Sequence, residues 1–371
     1  MSQKNCTRIW DFPTRIFHWS MVLSFAFAWW TSGDSRYLYE HVFAGYTILG
    51  LISFRLVWGF SGGYYARFSS FSFSPRAAFN YVRDLLNSQA KSYVGHNPAG
   101  SWAIYLLLFL NLLVVVLGLI VLGGEEQLGL LAGLVNFDTG TLAHEWHERI
   151  SDWVLILIAI HLLGVLFESI YHKESLVIAM FSGFKKTTAT MSKNYAVYGW
   201  ALVTIITSAS IIYFYPYSLQ TTKQNFLPYP GPTLAENQTW RQECGDCHYA
   251  YPAQLLPARS WNQMLKEQHQ HFDEDLDLDD ETIDEIKTFL NANAADEQQN
   301  EAARHIIRSL KADETPQWIS RLDFWKLQHE SIRDSVWKTE KVKSKGNCPA
   351  CHFDSKIGNF MDSAMRLPKS K

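Results

Sequence analysis

Residues 147–161 read HERISDWVLILIAIH, with a histidine at each end and an apolar run from Trp153 to Ile160. Fourteen residues separate His147 from His161. At about 100° per residue the two rings lie roughly 40° apart around a helix and about 21 Å apart along its axis. Histidine inside a membrane span is costly and marks a functional site. A helix with two histidines on one face, at two depths, predicts two stacked cofactor sites within a membrane bundle.

Five segments have the length and apolarity of membrane-spanning helices, which need about 17–25 residues. They are Ile16–Ser32, Val42–Phe60, Trp102–Gly123, Ser151–Tyr171 and Ala196–Tyr215. Basic residues collect at the N-terminus and in the loops after the second and fourth segments, whereas the other two loops are rich in acids. By the positive-inside rule the N-terminus is cytoplasmic, and everything after about Tyr217 lies outside the cytoplasm.

The composition divides the 371-residue chain into an apolar half and a polar, acidic half, with a formal net charge of −3. This balance gives no reason to expect nucleic-acid binding. The N-terminus lacks the pattern of a cleavable signal peptide, so the first apolar segment is predicted to be a retained anchor. Cys6 stands apart from the other four cysteines and is predicted to be inert.

Two further histidines lie at span ends, His18 in the first span and His41 at the start of the second. The topology puts His18 at the cytoplasmic depth of His161, and His41 at the outer depth of His147. Two imidazoles per site leave a haem iron six-coordinate, which suits electron transfer. His144 is the alternative to His147 as a ligand. However, 17 residues separate it from His161, which would put the two rings about 100° apart around the helix. The alternative is that all four are interfacial or packing histidines.

The polar half holds two Cys-x-x-Cys-His motifs: Cys244-Gly-Asp-Cys247-His248 and Cys348-Pro-Ala-Cys351-His352. This motif is the signature of covalent c-type haem attachment. The alternative is one zinc site built from both cysteine pairs, but such pairs are usually about 15–20 residues apart. Here Cys247 and Cys348 are 101 positions apart. The motifs therefore predict two c-type haems. The sixth iron ligands stay open among His269, His271, His305, His329, Met264, Met361 and Met365.

Three strings give the membrane half a family resemblance: WDFPTRIFHW at residues 10–19, Trp146-His147-Glu148 with His161 beyond it, and Gly95-His96-Asn97-Pro98. Over about residues 7–185 the chain resembles the bacterial cytochrome b561 family, which is similar to the b-type subunit of nickel–iron hydrogenases. The resemblance implies a four-helix bundle with two b-type haems and exchange with membrane quinone. The implied ligands are His18, His41, His147 and His161.

Residues 244–261, CGDCHYAYPAQLLPARSW, resemble the small dihaem cytochrome c family, and the resemblance extends over about residues 240–368. It implies a histidine on both faces of each haem. His271 and His329 fall at the matching places, which leaves His269 and His305 as surface residues. Which of the two histidines serves which haem stays open.

The expected fold is all-α. It comprises a transmembrane four-helix haem bundle (1–185), a fifth tethering helix (186–217), a Pro-rich linker (218–238) and a small, mainly α, periplasmic dihaem domain (239–371).

The acidic run Asp273–Glu281 is predicted to open a helix at Asp279–Leu290 rather than to form a calcium loop, because it lacks the glycine and glutamate of that motif. Arg55 either binds a haem propionate or snorkels to the interface. Arg15, His96 and His172 are candidates for a quinone site.

The expected function is that of a multi-haem electron-transfer protein of the bacterial inner membrane. It would pass electrons between quinone and a soluble periplasmic cytochrome or other redox protein, through two b-type and two c-type haems. Two alternatives stay open: a superoxide-oxidising, quinone-reducing b561, and a haem-bearing anchor subunit of a separate periplasmic enzyme. The acidic outer loops oppose the first, because they would repel an anion. The direction of flow, the quinone-site residues and the oligomeric state do not follow from the sequence.

Overall fold

The computed structural model describes residues 5–224 and 233–368. They form an almost entirely helical chain, which confirms the all-α expectation. The elements are β1 (Asn5–Arg8), α1 (Phe12–Thr31), α2 (Leu38–Ser61), α3 (Pro75–Leu86), α4 (Pro98–Gly124), α5 (Phe137–Tyr171), α6 (Leu176–Ser182), β2 (Phe184–Thr187), α7 (Ala196–Gln224), α8 (Gln238–Glu243), α9 (Ala258–Lys266), α10 (Asp280–Asn293), α11 (Glu301–Ser309), α12 (Asp323–His329) and α13 (Asp334–Trp337).

The chain divides into two compact units. The first comprises Met1–Gly118 and His144–Ser218, and the second comprises Leu119–Ala143 and Leu219–Lys371. Leu119–Ala143, which comprises the end of α4, the start of α5 and the loop between them, belongs to the same unit as the haem-attachment motifs.

Side-chain caps explain where many of the helices begin. In each case a polar side chain just before the helix accepts a hydrogen bond from a backbone N–H of the first turn, which would otherwise lack a partner. The caps are Asp11, Ser74, Ser175, Asn237, Asp279 and Asn300. The cap at Asp279 confirms that the acidic run opens a helix, although α10 continues to Asn293.

Four helices of the described chain are long and apolar enough to cross a membrane: Ser35–Ser61, Pro98–Gly124, Phe137–Tyr171 and Ala196–Tyr215. Trp153, Ile156 and Leu163 on α5 are each more than half exposed, as lipid-facing side chains are. The chain is therefore a multi-pass membrane protein. The first predicted span is helical, as α1, but is not among these four. That α1 crosses the membrane stays a prediction.

Two helix boundaries differ from the sequence expectation. α5 begins at Phe137, fourteen residues before the predicted start of that span, so the polar stretch containing His147 is helical as well. α7 continues to Gln224, so the first part of the expected extended linker is helical. Pro228, Pro230 and Pro232 lie outside the described residues.

Asp11 fixes the start of α1 against the end of α2. One carboxylate oxygen accepts the backbone N–H of Thr14 at 3.0 Å. The other accepts the indole N–H of Trp58 and the backbone N–H of Gly63, both at 3.3 Å. The side chain is 2% exposed. The carboxylate therefore satisfies three donors, of which Trp58 and Gly63 lie about fifty residues away in sequence.

Asp11→Ala should lower the free energy of unfolding by about 1–3 kcal/mol, because a cap is lost and two further donors are left without their acceptor. The measurement is the melting temperature of the purified holo-protein in detergent. Asp11→Asn retains an oxygen acceptor and should lose less. Asp84→Ala removes an exposed carboxylate as the matched control. Equal melting temperatures for the Asp11→Ala and Asp84→Ala proteins would contradict this role.

A two-stranded antiparallel sheet joins the N-terminal strand β1 to β2, which follows α6. Asn5 pairs with Thr187 and Arg8 with Phe184. Gly183, just before the second strand, has a φ of +88°, and its carbonyl accepts the N–H groups of Ile9 and Trp10 at 2.8 and 3.1 Å. A Cβ at Gly183 would lie 2.7 Å from the Trp10 carbonyl, so this close approach requires glycine.

The second unit has its own hydrophobic core. Trp240 of α8, Ile286 and Leu290 of α10 and Ile306 of α11 are all at most 2% exposed and belong to one cluster. The indole N–H of Trp261 donates to the Ala253 carbonyl at 2.7 Å, so the polar group of that core side chain is satisfied. This core holds the helices that carry or flank the haem-attachment motifs.

Candidate haem sites

The first Cys-x-x-Cys-His motif follows directly on α8, whose C-terminal cap is Cys244. The ring of His248 lies 6.1 Å from the ring of His271, centroid to centroid, with 33° between their planes. Nδ1 of His248 donates to its neighbouring Tyr249 carbonyl at 2.9 Å. That bond leaves Nε2 as the unprotonated nitrogen of a neutral ring, which is the form that binds metal.

The second motif begins with a single 3₁₀ turn at Cys348–Ala350. The rings of His352 and His329 lie 6.1 Å apart, with 68° between their planes. Nδ1 of His329 donates to the Trp325 carbonyl at 2.7 Å, and the ring stacks on Trp325 at 4.2 Å. Burial, followed by the charge of His329, lowers the pKa of His352 to about 4. His352 is therefore neutral at physiological pH, as metal binding requires.

These separations match two imidazoles on opposite sides of one iron. A metal–nitrogen bond of about 2.0 Å and a nitrogen-to-centroid distance of about 1.1 Å on each side give a centroid separation of about 6.2 Å. The residues therefore fit a haem with two histidine ligands at each motif. Among the described residues, no three His, Cys, Asp or Glu side chains gather as a metal-ion site.

A third histidine pair lies in the membrane half. The rings of His41 in α2 and His147 in α5 are 6.0 Å apart and 70° tilted. Nδ1 of His41 donates to the Ala28 carbonyl, and Nδ1 of His147 to the Val114 carbonyl, both at 2.9 Å. Both bonds leave Nε2 as the unprotonated nitrogen of a neutral ring, which is the form that binds metal. The ring separation of this pair therefore also fits a haem with two histidine ligands, as in the two pairs of the soluble half.

His147 lies against a glycine of α4. A Cβ at Gly118 would lie 3.1 Å from Cε1 of His147, so the absence of a side chain lets the ring approach that helix. The rival His144 is 48% exposed, and its Nε2 lies 3.8 Å from a carboxylate oxygen of Glu148. The structure therefore brings His147, rather than His144, to His41.

His18 in α1 and His161 in α5 lie close enough for their charges to interact. Nδ1 of His18 is buried, with no hydrogen-bond partner among the described residues. His96 lies near both, between the rings of Trp10 at 4.7 Å and Phe71 at 4.5 Å. Its Nδ1 is likewise buried without a partner in the described chain.

Arg55 is buried near His96, which itself lies near His18 and His161. It is 3% exposed, and its guanidinium lies over the rings of Phe68 and Phe71 at 4.6 and 5.6 Å. Within the described residues its Nη1 atom has no hydrogen-bond partner. Burial excludes snorkelling to the interface, and a buried cationic donor without a partner suits a haem propionate.

The other histidines of the soluble half occupy different surroundings. His269 is 65% exposed and contacts Asp275 at 2.8 Å. His305 stacks on Phe324 at 5.3 Å and meets Phe137 edge-on at 5.6 Å. Neither faces the histidine of a Cys-x-x-Cys-His motif. The structure thus pairs His271 with the first motif and His329 with the second, which the sequence left open.

Sequence reasoning missed the residues that join the two haem segments of the soluble half. The Tyr249 hydroxyl donates to the Ser355 carbonyl at 2.6 Å, and the Tyr251 hydroxyl to the Gly346 carbonyl at 2.9 Å. The Gln254 amide donates to the Gly358 carbonyl. These three side chains, termed the straps below, follow the first motif and bind both sides of the second. Their acceptors are backbone carbonyls, which leave no signal in the sequence.

Sequence reasoning also missed Glu168 near the end of α5. One of its carboxylate oxygens accepts from the Asn97 amide at 2.7 Å and from the Tyr81 hydroxyl at 2.9 Å. The amide oxygen of Asn97 in turn accepts the Gly100 N–H at the start of α4. The Gly-His-Asn-Pro string therefore caps one helix and joins it to another.

Apolar spanning helices, paired histidines within them and two covalent attachment motifs define a haem-bearing membrane electron-transfer protein. Residues 9–183 match the family model of prokaryotic cytochrome b561, and residues 240–360 match that of dihaem cytochrome c. The chain belongs to both families, as a cytochrome b561 fused to a dihaem cytochrome c. It therefore binds haem b and haem c.

Three individual proteins are similar to parts of the chain. The chain is 24% identical over 212 residues to a probable Ni/Fe-hydrogenase B-type cytochrome subunit of Cupriavidus necator, covering 48% of this chain and 86% of the relative. A protein described in the same words from Azotobacter vinelandii is 25% identical, covering 48% and 87%. The diheme cytochrome c of Rhodobacter sphaeroides is 37% identical over 35% of this chain and 100% of its own, with a TM-score of 0.32.

Proposed function

We propose that the protein passes electrons between membrane quinone and a soluble periplasmic redox partner, through two b-type and two c-type haems. The proposed ligand pairs are His18 with His161, His41 with His147, His248 with His271, and His352 with His329. Cys244, Cys247, Cys348 and Cys351 would form the thioether bonds. When bound, each haem would supply a one-electron carrier, and the two histidines of each pair would hold its iron.

The observation that carries this proposal is the repeated geometry of three histidine pairs, with ring centroids 6.0, 6.1 and 6.1 Å apart. Four of these six rings are also held by an Nδ1–H bond to a backbone carbonyl. Histidine rings fixed in this way would hold the haem in the same manner in both oxidation states, as electron transfer needs.

A cavity between α2 and α4 supports quinone as the membrane partner. Its volume is about 340 Å³, and its lining includes Ile52, Phe68, Tyr105, Leu108 and Phe109. The apolar lining suits an isoprenoid tail, and Phe68 also contacts Arg55. The basic loops support a cytoplasmic position for this end of the bundle in the inner membrane and a periplasmic position for the dihaem domain.

The proposal is tested with purified protein in detergent, to which decylubiquinol is added in the absence of oxygen. The b-haem and c-haem absorption bands should both become reduced, and an added soluble acceptor should oxidise them again. A pyridine haemochrome assay of the same sample should give equal amounts of b-type and c-type haem. Reduction by dithionite but not by the quinol would overturn the proposed donor, and a sample without c-type haem would overturn the four-haem assignment.

The names of the relatives favour one second candidate, a haem-bearing membrane subunit of a separate redox enzyme. A stoichiometric second polypeptide that co-purifies with the chain and reduces its haems would favour this function. Isolation of the chain alone, with full quinol-dependent reduction of its c-haems, would favour the first.

Arg55→Gln should lower the midpoint potential of one b-haem by on the order of 60 mV, since about 1.4 kcal/mol corresponds to 59 mV for one electron. The physical reason is electrostatic. Losing a buried positive charge stabilises the ferric form relative to the ferrous form, and this lowers the potential. A potentiometric titration of the b-haem absorbance measures it. Arg83→Gln removes an exposed arginine as the control. Unchanged potentials in both variants would contradict a place for Arg55 beside the haem.

A further inference from the structure

The segment Leu119–Ala143 contacts the dihaem domain through two residues at the start of α5. Phe137 is 1% exposed, the ring of His305 meets it edge-on at 5.6 Å, and the guanidinium of Arg308 lies over it at 5.0 Å. The adjacent carboxylate of Asp138 pairs with Arg308, and with Arg304 at 3.5 Å. These five residues are called the docking contact. The three members on α11, Arg304, His305 and Arg308, lie at neighbouring positions of one helical turn.

The docking contact combines two physical effects. Phe137 is almost completely withdrawn from water, so hydrophobic burial supplies the stabilisation. Asp138 is 61% exposed and Arg308 is 39% exposed, so the ion pair is screened by salt and adds mainly orientation. The contact should therefore persist at physiological ionic strength but depend on the sign of the charge at position 138.

Ring contacts, together with the peptide bond between Phe324 and Trp325, connect the docking contact to one of the two c-haem sites. His305 stacks on Phe324 of α12, with their planes only 8° apart. The next residue, Trp325, stacks on His329 at 4.2 Å and accepts its Nδ1–H bond. His329 faces His352 of the second motif. No such series of ring contacts is found from the docking contact to His248 or His271 among the described residues.

In the other direction, α5 continues without a break from Asp138 to His147. Nine residues separate them. They correspond to about 14 Å along the helix axis. One helix therefore bears both the docking residues and a histidine of the outer b-haem pair.

We propose that Phe137 and Asp138 dock α11, and that the c-haem site of His329 and His352 is the one that exchanges electrons with the outer b-haem site. The c-haem site of His248 and His271 then serves the soluble partner. This inference rests on the proposed function. The step moves one electron from one iron to the other, and no bond or proton is exchanged. Phe137, Asp138, Arg304 and Arg308 are positioning residues, because none of them touches an iron ligand directly.

The docking itself can be tested without any electron transfer. In the full-length holo-protein, Arg308→Lys keeps the positive charge and adds an amine that a carbodiimide can join to Asp138 without a spacer. Peptide mass mapping should find the 138–308 cross-link. Arg321→Lys, which replaces an arginine that lies over Trp318, should give no cross-link to Asp138. Absence of the 138–308 cross-link would overturn the docking, whatever the result with quinol.

Charge exchange tests whether the docking positions the electron-transfer partners. Asp138→Arg should slow reduction of the c-haems by the b-haems tenfold or more, with haem content unchanged. Arg308→Asp should do the same. Combining Asp138→Arg with Arg308→Asp should restore most of the rate, which a merely structural role of either residue would not produce. A double variant as slow as the slower single variant would overturn the positioning role.

The order of reduction tests which c-haem receives the electron first. In His271→Met and, separately, in His329→Met, the two c-haems become spectrally distinct because one has a sulfur ligand. The decisive variant is His271→Met, because it raises the potential of the haem at His248 and leaves that of the haem at His352 unchanged. After rapid mixing with decylubiquinol, the reduced haem at His352 should be detected before the reduced haem at His248. Detection in the reverse order would overturn the inference. A wild-type protein that quinol does not reduce would instead overturn the proposed function and leave the cross-link result standing.

Discussion

His147→Ala is expected to halve the b-type haem of the purified protein while leaving both c-type haems in place. His147 and His41 face each other at 6.0 Å, and the alanine removes one of the two proposed iron ligands from that site. The His18–His161 pair lies about 21 Å further along α5, so it should retain its haem. A pyridine haemochrome assay would then change from equal amounts of b and c to half as much b as c.

His144→Ala is the matched control for this experiment. His144 lies on the same helix, one turn earlier, and is 48% exposed beside Glu148. Its removal should leave the full b-haem content. Loss of haem from the His144→Ala protein, with full content in the His147→Ala protein, would reverse the assignment of the outer ligand.

The second large effect is expected from the distal ligands of the c-haems. His271→Met should raise the midpoint potential of the haem at the first motif, and His329→Met that of the haem at the second, each by on the order of 100 mV. A methionine ligand favours the ferrous state, and axial ligands as a whole span about 0.8 V. Each titration curve should therefore show one displaced c-haem and one unchanged c-haem.

His269→Met and His305→Met are the controls, because the structure keeps both side chains away from the motif histidines. Neither should shift a c-haem potential by more than the error of the titration. A shift caused by His269→Met, together with no shift for His271→Met, would contradict the pairing of His248 with His271.

The parts of the site that were predictable from sequence depend on local spacing. Two cysteines and a histidine within five positions specify haem attachment, and a fourteen-residue step puts His147 and His161 on one helical face. The four apolar helices follow from composition in the same way. α5 was predicted to begin too late because its first turns are polar, and an apolar pattern cannot show a helix that extends beyond the membrane.

The remaining features depend on contacts between distant residues, so spacing could not reveal them. His271 faces His248 because the chain turns just after it, with left-handed conformations at Phe272 (φ 51°) and Asp273 (φ 75°), which neither residue type strongly signals. The carbonyls that hold Nδ1 of His41 and His147 belong to other helices and are the same in every residue type. The docking contact joins positions 138 and 308, which are 170 residues apart.

The straps have a consequence for how the dihaem domain loses its structure. Tyr249, Tyr251 and Gln254 follow the first motif, and each gives its hydrogen bond to the segment around the second. Burial raises the pKa of Tyr251 to about 12, so its hydroxyl keeps the donated proton throughout the physiological range. Neither segment can leave its place without breaking bonds that hold the other. The domain is therefore one cooperative unfolding unit rather than two independent haem modules. A change that destabilises one attachment motif should also lower the stability of the other.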